Sequence, residues 1–187
     1  SIVTLKKLED NKFEGQNYKT VWGRIFGGQV LSQSLHAAYQ TVPKNRIAHS
    51  MHAYFILPGD LNEPVIYEVD NIRNGGSFTT RRVVAFQKGR AIFNMSASFQ
   101  KDENGFDHQI QMPNVLSPDL LLTDFEQAEK FKDELAERYE IFLAAHPKVF
   151  DFKPVGTNIF LRKENALPIN HCWLRLRDKI DVPIQVH

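Results

Sequence analysis

Residues 26–40, Phe26 to Gln40, read FGGQVLSQSLHAAYQ, and this stretch decides the fold. Phe26, Val30, Leu31, Leu35 and Ala38 recur at helical spacing, while Gln29, Ser32, Gln33 and Gln40 fall elsewhere and Pro43 stops the segment. The spacing predicts a helix of about 14 residues. It carries almost no charge. A helix on a protein surface normally shows a charged face, so this one is expected to be covered on most of its sides.

The flanking segments change period. Before the helix, Val3–Leu8 and Lys12–Tyr18 read as a strand pair separated by the turn-prone Glu9-Asp10-Asn11. After Pro43 come Ile47–Leu57, closed by Pro58-Gly59-Asp60, then Val65–Ile72, Ser77–Gln87 and Ala91–Gln100. Asn74-Gly75 predicts a hairpin turn because both residues tolerate positive φ, and Lys88-Gly89-Arg90 turns the next pair. Strands, one uncharged helix and four more strands joined mainly by hairpins define an α+β class. An antiparallel sheet wrapped around a central helix fits that order best, since it covers the helix and buries one sheet face.

From Lys101 the chain turns polar, with Asp102-Glu103-Asn104-Gly105 and the prolines Pro113 and Pro118, which reads as a linker. Thr123-Asp124-Phe125-Glu126 then fits a capping box. Phe125, Ala128, Phe131, Leu135, Tyr139 and Phe142 make an apolar stripe opposite Glu126, Lys130, Asp133, Glu137 and Glu140, so an amphipathic surface helix is expected up to Pro147. Beyond it, Val155–Arg162 and Cys172–Arg177 are strand-like.

Composition narrows the function. With 42% hydrophobic residues, 14 Phe and 24% charged residues among 187, the chain can bury a core. Lys and Arg number 23 against 22 Asp and Glu, so no global field calls for nucleic acid or an anionic membrane surface. The single cysteine, Cys172, has no intrachain disulfide partner, and no Cys/His spacing resembles a zinc site, which points to a reducing, cytoplasmic compartment. No apolar run approaches the roughly 18 residues of a membrane span.

Four groups of residues can carry chemistry. Gly27, Gly28 and Gln29 stand at the start of the helix, where backbone N–H groups can accept developing negative charge; close packing of helix on sheet is the competing use of the glycines. His49 and His52 lie three apart on one strand, which points them to opposite faces and excludes a metal pair. Either can serve as acid or base, although a histidine satisfied by a backbone carbonyl is the commoner outcome. Arg73, Arg81, Arg82, Lys88 and Arg90 cluster along the hairpins as clamps for a phosphate-bearing ligand or as solubilising charge, with Arg81 and Arg82 on alternate faces. Gly59-Asp60-Leu61-Asn62-Glu63-Pro64 resembles the Gly-Asp-x-Asn-Pro signature of hot-dog enoyl-CoA hydratases. An extra Glu63 interrupts it and Val65 stands where the histidine acid/base belongs, so the segment reads as a turn.

Ile25 to Val30, His49 to Asp60, Ile72 to Phe78 with Arg81-Arg82-Val83, and Met95 to Gln100 resemble, block by block, the TesB-type acyl-CoA thioesterases of the thioesterase II family. The likeness is continuous over about residues 20–112 and weaker but colinear beyond. It implies a double hot-dog: residues 1–112 as a first unit, 113–150 as linker and surface helix, and 151–187 as the start of a second, incomplete unit. It implies hydrolysis of acyl-CoA to fatty acid and CoA by an oriented water, without metal or organic cofactor, in a homo-oligomer. The family's catalytic Asp, Thr and Gln belong to the second unit, after a segment similar to Asp181–His187, so no residue here inherits those roles and this chain alone is expected to be inactive. Gly27, Gly28 and Gln29 match the first unit's helix start, and His49 matches a histidine proposed for catalysis in the family. Arg73, Ser77 and Arg81 complete the expected substrate-binding set. The other readings are a non-catalytic acyl-CoA-binding or partner-packing module and a hot-dog enoyl-CoA hydratase.

Overall fold

The computed structural model describes residues 3–20, 23–135, 137–145, 150–156 and 169–177. The described residues divide into two compact units, one up to Phe106 and one from Asp107 onward.

In the first unit, β1 (Leu5–Glu9) and β2 (Lys12–Gly15) precede the helix α1 (Gly27–Tyr39), which β3 (Ile47–Phe55), β4 (Val65–Asn74), β5 (Phe78–Gln87) and β6 (Arg90–Gln100) follow. The six strands form one antiparallel sheet in the order β1-β2-β4-β5-β6-β3. Pleating sends alternate side chains to one face. Val65, Tyr67 and Val69 of β4, Val83 and Ala85 of β5, and Phe93, Met95, Ala97 and Phe99 of β6 make that inner face. Val30, Ala37 and Ala38 of α1 close the core over it. Each large aliphatic or aromatic side chain so covered is worth roughly 1.5–3 kcal/mol of burial. No residue of α1 is exposed, which is what its lack of charge predicts.

The helix differs from expectation in which residues it buries. Its covered face carries Gln29, Gln33 and Ser34 beside Val30, Ala37 and Ala38, while Leu31 and Leu35 are only half-covered and Phe26 is exposed. The two glutamines are tolerated there because their amides are hydrogen-bonded.

The two central hairpins turn by different means. At Lys88-Gly89 both residues take positive φ, +49° and +71°, as a two-residue turn matching the twist of the strands requires. Asn74-Gly75, the stronger signal in the sequence, uses no positive φ. Gly75 is needed there for room: a Cβ on it would lie 2.6 Å from the Phe78 carbonyl oxygen.

The second unit holds a short 3-10 turn (Pro118–Leu120), three helical pieces, α2 (Asp124–Lys130), α3 (Lys132–Leu135) and α4 (Glu137–Ala145), and a two-stranded antiparallel ribbon of β7 (Phe150–Pro154) and β8 (Cys172–Leu176). The capping box forms as read, Thr123 Oγ1 accepting from the Glu126 N–H and the Glu126 carboxylate accepting from the Thr123 N–H. The single helix expected from the stripe is interrupted at Phe131. Its φ of −114° leaves α geometry, and its N–H closes on the Ala128 carbonyl instead. Of the strand expected at Val155–Arg162, residues 157–162 lie outside the described residues, and the strand that pairs with Cys172–Leu176 comes earlier, at Phe150–Pro154.

Candidate functional site

The start of α1 has no side-chain cap. Phe26 holds the cap position in extended geometry, its carbonyl accepts from the N–H groups of Gln29 and Val30, and no acidic residue stands in the first turn. The positive end of the helix is therefore not neutralised by its own side chains. Aromatic rings crowd the two glycines: a Cβ on Gly27 would lie 2.9 Å from the Phe55 ring, and one on Gly28 would lie 2.5 Å from the Phe26 ring.

Gln29 does not face outward from this end. It is 2% exposed, and its amide turns back to accept from the Tyr18 N–H at 2.9 Å and to donate to the Gln16 carbonyl and Asn17 Oδ1. One turn on, Gln33 donates to the same Gln16 carbonyl and accepts from the Tyr67 hydroxyl at 2.6 Å. Burial pushes the Tyr67 phenol well above its ordinary value, so it remains a donor. Asn17 in turn donates to the carbonyls of Asp60, Leu61 and Glu63, and the Gln87 amide brackets the same loop through the Asp60 N–H and the Asp60 and Glu63 carbonyls. The exit of β2, the first turns of α1 and the Pro58–Pro64 loop are thus one hydrogen-bonded frame. Within that loop Asp60 accepts from the Asn62 N–H, which with Lys88 holds its carboxyl below the usual range; the segment is a turn, as read.

The histidines are not on opposite faces. A bulge between Ala48 and Ser50 inserts His49 into the pairing of β3 with β6, and the extra residue breaks the alternation that separates positions three apart. His49 meets the Ser98 hydroxyl at 2.8 Å and the edge of Phe78, while His52 pairs with the exposed Ser96 and packs on Tyr54. Both are exposed, away from the helix.

Arg81 and Arg82 do alternate. Arg82 is exposed beside Asp70, whereas Arg81 continues the inner row of Val83 and Ala85 and is 1% exposed. All five of its N–H groups are engaged: Nε on Thr41 Oγ1, one terminal nitrogen on the Arg73 and Thr80 carbonyls, the other on the Thr41 carbonyl and Asn74 Oδ1. Of the expected ligand-facing side chains, Gln29 and Arg81 are therefore turned into the fold, and Arg73 and Ser77 remain at the surface of the hairpin tip. Sequence reasoning missed Asn17, Gln33 and Gln87 altogether. Only Gln87 carries a local signal, two residues on from the buried Ala85 of β5, whereas the roles of Asn17 and Gln33 are set by partners distant in sequence.

Along the sheet edge, β3 presents Met51, Tyr54 and Phe55, continued by Ile56 and Leu57, as exposed apolar side chains without a charged residue among them. Among the described residues no cluster of His, Cys, Asp or Glu is placed to hold a metal, and no helix is long and apolar enough to cross a membrane.

Residues 17–100, which contain all of this frame except Gln16 at the exit of β2, match the family model of the acyl-CoA thioesterase N-terminal domain. Acyl-CoA thioesterase 2 of Haemophilus influenzae is 40% identical over 147 residues, 78% of this chain and 51% of the relative. The solved structure of an acyl-CoA thioesterase II, TesB2, from Mycobacterium marinum is 34% identical with a TM-score of 0.75, covering all of this chain and 63% of that one. A hot-dog-fold protein from Alicyclobacillus acidocaldarius, at 18% identity and a TM-score of 0.65 over 94% of this chain and 61% of its own, shares the fold. An antiparallel sheet wrapped on one helix is the hot-dog fold, and over residues 17–100 the chain is similar to the N-terminal domain of the acyl-CoA thioesterases. It spans about half the length of the curated relative.

Proposed function

We propose that the protein to which this chain belongs hydrolyses acyl-CoA thioesters to free fatty acid and CoA. The family match supports the reaction, and the uncapped, glycine-bearing start of α1 is the observation in this chain that fits it. Hydrolysis of a thioester places negative charge on the carbonyl oxygen as water adds, and free N–H groups at the positive end of a helix stabilise that charge more in the transition state than in the substrate. The CoA thiolate then leaves and takes up a proton. In this reading Gly27 and Gly28 are the residues closest to the reacting group, Gln29 holds the helix start in place, and His49 is structural, since its ring is turned to Ser98 on the outer face. The general base and the water-positioning groups come from a second hot-dog unit, as the family resemblance implies.

The bare apolar row on β3 fits a homo-oligomer or a second unit as its cover, and the lone cysteine fits a cytoplasmic setting. Thiol release from palmitoyl-CoA by the complete protein tests the central reading. Turnover above background is expected; saturable binding of palmitoyl-CoA without turnover would replace the hydrolase with an acyl-CoA-binding module.

A further inference from the structure

The first unit buries two guanidinium groups without a carboxylate partner among the described residues. Arg46, 5% exposed, and Arg81 are both held by neutral oxygens. Arg46 donates to the carbonyls of Gly75, Gly76 and Ser77, and Arg81 to those of Arg73 and Thr80 and to Asn74 Oδ1. The carbonyls of residues 73, 75, 76 and 77 thus converge on two cations beneath one hairpin tip. Arg46 Nε is buried there with no hydrogen-bond partner. Buried charges in proteins are ordinarily paired, because carbonyl dipoles only partly replace the water they lose. Desolvation correspondingly lowers the Arg81 pKa from its usual value.

A third cation lies above the tip. Arg73 is exposed, and its Nε is 3.2 Å from where a Gly75 Cβ would stand, so its guanidinium lies across the turn. The Ser77 hydroxyl of the same turn donates to the Glu103 carboxylate at 3.3 Å. This is an exposed, long contact from the polar segment after β6, and a stronger anion can displace it.

We propose that the Arg73–Ser77 turn is an anion-binding site for a phosphate group. Arg73 and the Ser77 hydroxyl are its direct contacts, Arg46 and Arg81 the buried positive charge behind them, and Glu103 an internal carboxylate that occupies the site until phosphate arrives. The identity of the ligand rests on the acyl-CoA reading: the phosphate is one of those on the CoA moiety. The role expected for Arg81 in the sequence is thereby changed from a direct clamp to a supporting charge.

Calorimetric titration of the complete protein with adenosine 3′,5′-bisphosphate, and in parallel with inorganic phosphate, tests it. The bisphosphate is expected to bind, more weakly as salt is raised. Arg73→Glu should weaken it by about tenfold or more, and Glu103→Gln should tighten it by about threefold. Both positions are exposed, so neither change threatens folding. Unchanged bisphosphate affinity in Arg73→Glu overturns the site, and equal affinity for inorganic phosphate overturns its assignment to CoA. Hydrolysis of palmitoyl-CoA and of palmitoyl-N-acetylcysteamine, a thioester without phosphate, separates this proposal from the reaction. If the hydrolase reading is wrong, neither is cleaved although the bisphosphate still binds at Arg73. If only the site is wrong, both are cleaved and Arg73→Glu leaves their KM ratio unchanged.

Discussion

Gly15→Ala should damage the first unit more than any ordinary glycine-to-alanine change. A Cβ built on Gly15 lies 2.4 Å from Gln33 Oε1, 2.8 Å from Gln33 Cδ and 2.8 Å from Tyr67 Cε2. Neither neighbour can swing aside, since both are fully buried and joined by the hydrogen bond from the Tyr67 hydroxyl. Relieving the contact needs a retreat of about 0.8 Å by the Gln33 oxygen, which takes that bond beyond useful length. Overpacking costs about 1–3 kcal/mol. A buried polar pair left unsatisfied costs about 1–3 more. The reduced chain entropy of alanine returns only about 0.4–1. The net loss is therefore about 1–5.5 kcal/mol, a fall in Tm of roughly four to five degrees per kcal/mol for a unit of this size. Urea denaturation followed by circular dichroism reads it as a lower midpoint at unchanged slope. Gly76→Ala is the control, because nothing lies within 4 Å of its Cβ position and its φ is not positive. Gln33→Ala removes the obstacle, so the double variant should cost less than the sum of its parts. A loss below about 0.5 kcal/mol for Gly15→Ala, or strict additivity with Gln33→Ala, would refute the assignment of the collision.

Two further outcomes follow from single side chains. Ser34 is buried with no partner for its hydroxyl, whereas Ser32 donates to the Gly28 carbonyl at 2.7 Å. Ser34→Ala is expected to stabilise by about 0.5–2 kcal/mol, and measurable destabilisation in the same urea assay would show that the hydroxyl has a partner. In the second unit, hydrogen bonds and charge from Arg177 and Arg175 hold the Asp151 carboxyl below its ordinary 3.8. A depressed carboxylate contributes stability that is present above its unfolded pKa and lost as pH falls through the folded one. Asp151→Asn should accordingly flatten the acid side of the stability profile below about pH 4, with no change in slope above pH 6; an unaltered acid limb counts against it.

How much of this was legible depends on the range of the interaction that decides each feature. The helix at Gly27 and the two hairpins after Val65 are set by neighbours in sequence, and the reading placed them within a few residues. The partners of the edge elements are not. That β3 crosses over to pair with β6, leaving β2 to pair with β4, follows from covering the helix and leaves no local mark. The same holds for the site. The glycines of the helix start were readable, but the inward turn of Gln29 depends on Gln16, Asn17 and Tyr18 arriving beside it, and the burial of Arg81 depends on Thr41 and Asn74. The bulge at His49 cost the reading most, since one inserted residue reverses every inference drawn from alternation.

The frame that steadies the start of α1 consists of Asn17, Gln29, Gln33, Gln87, the Tyr67 phenol and backbone groups. None of the amides titrates, and burial keeps the phenol protonated through the alkaline range. Neither acid nor added salt can loosen these amide and phenol bonds by discharging or screening them; the titratable contacts of the framed loop are those of Asp60 and Lys88. A shift in activity with pH or ionic strength in the complete protein therefore originates in charged groups, in the chemistry, at the hairpin tip or at the Asp60–Lys88 pair, and not in the amides that hold the helix.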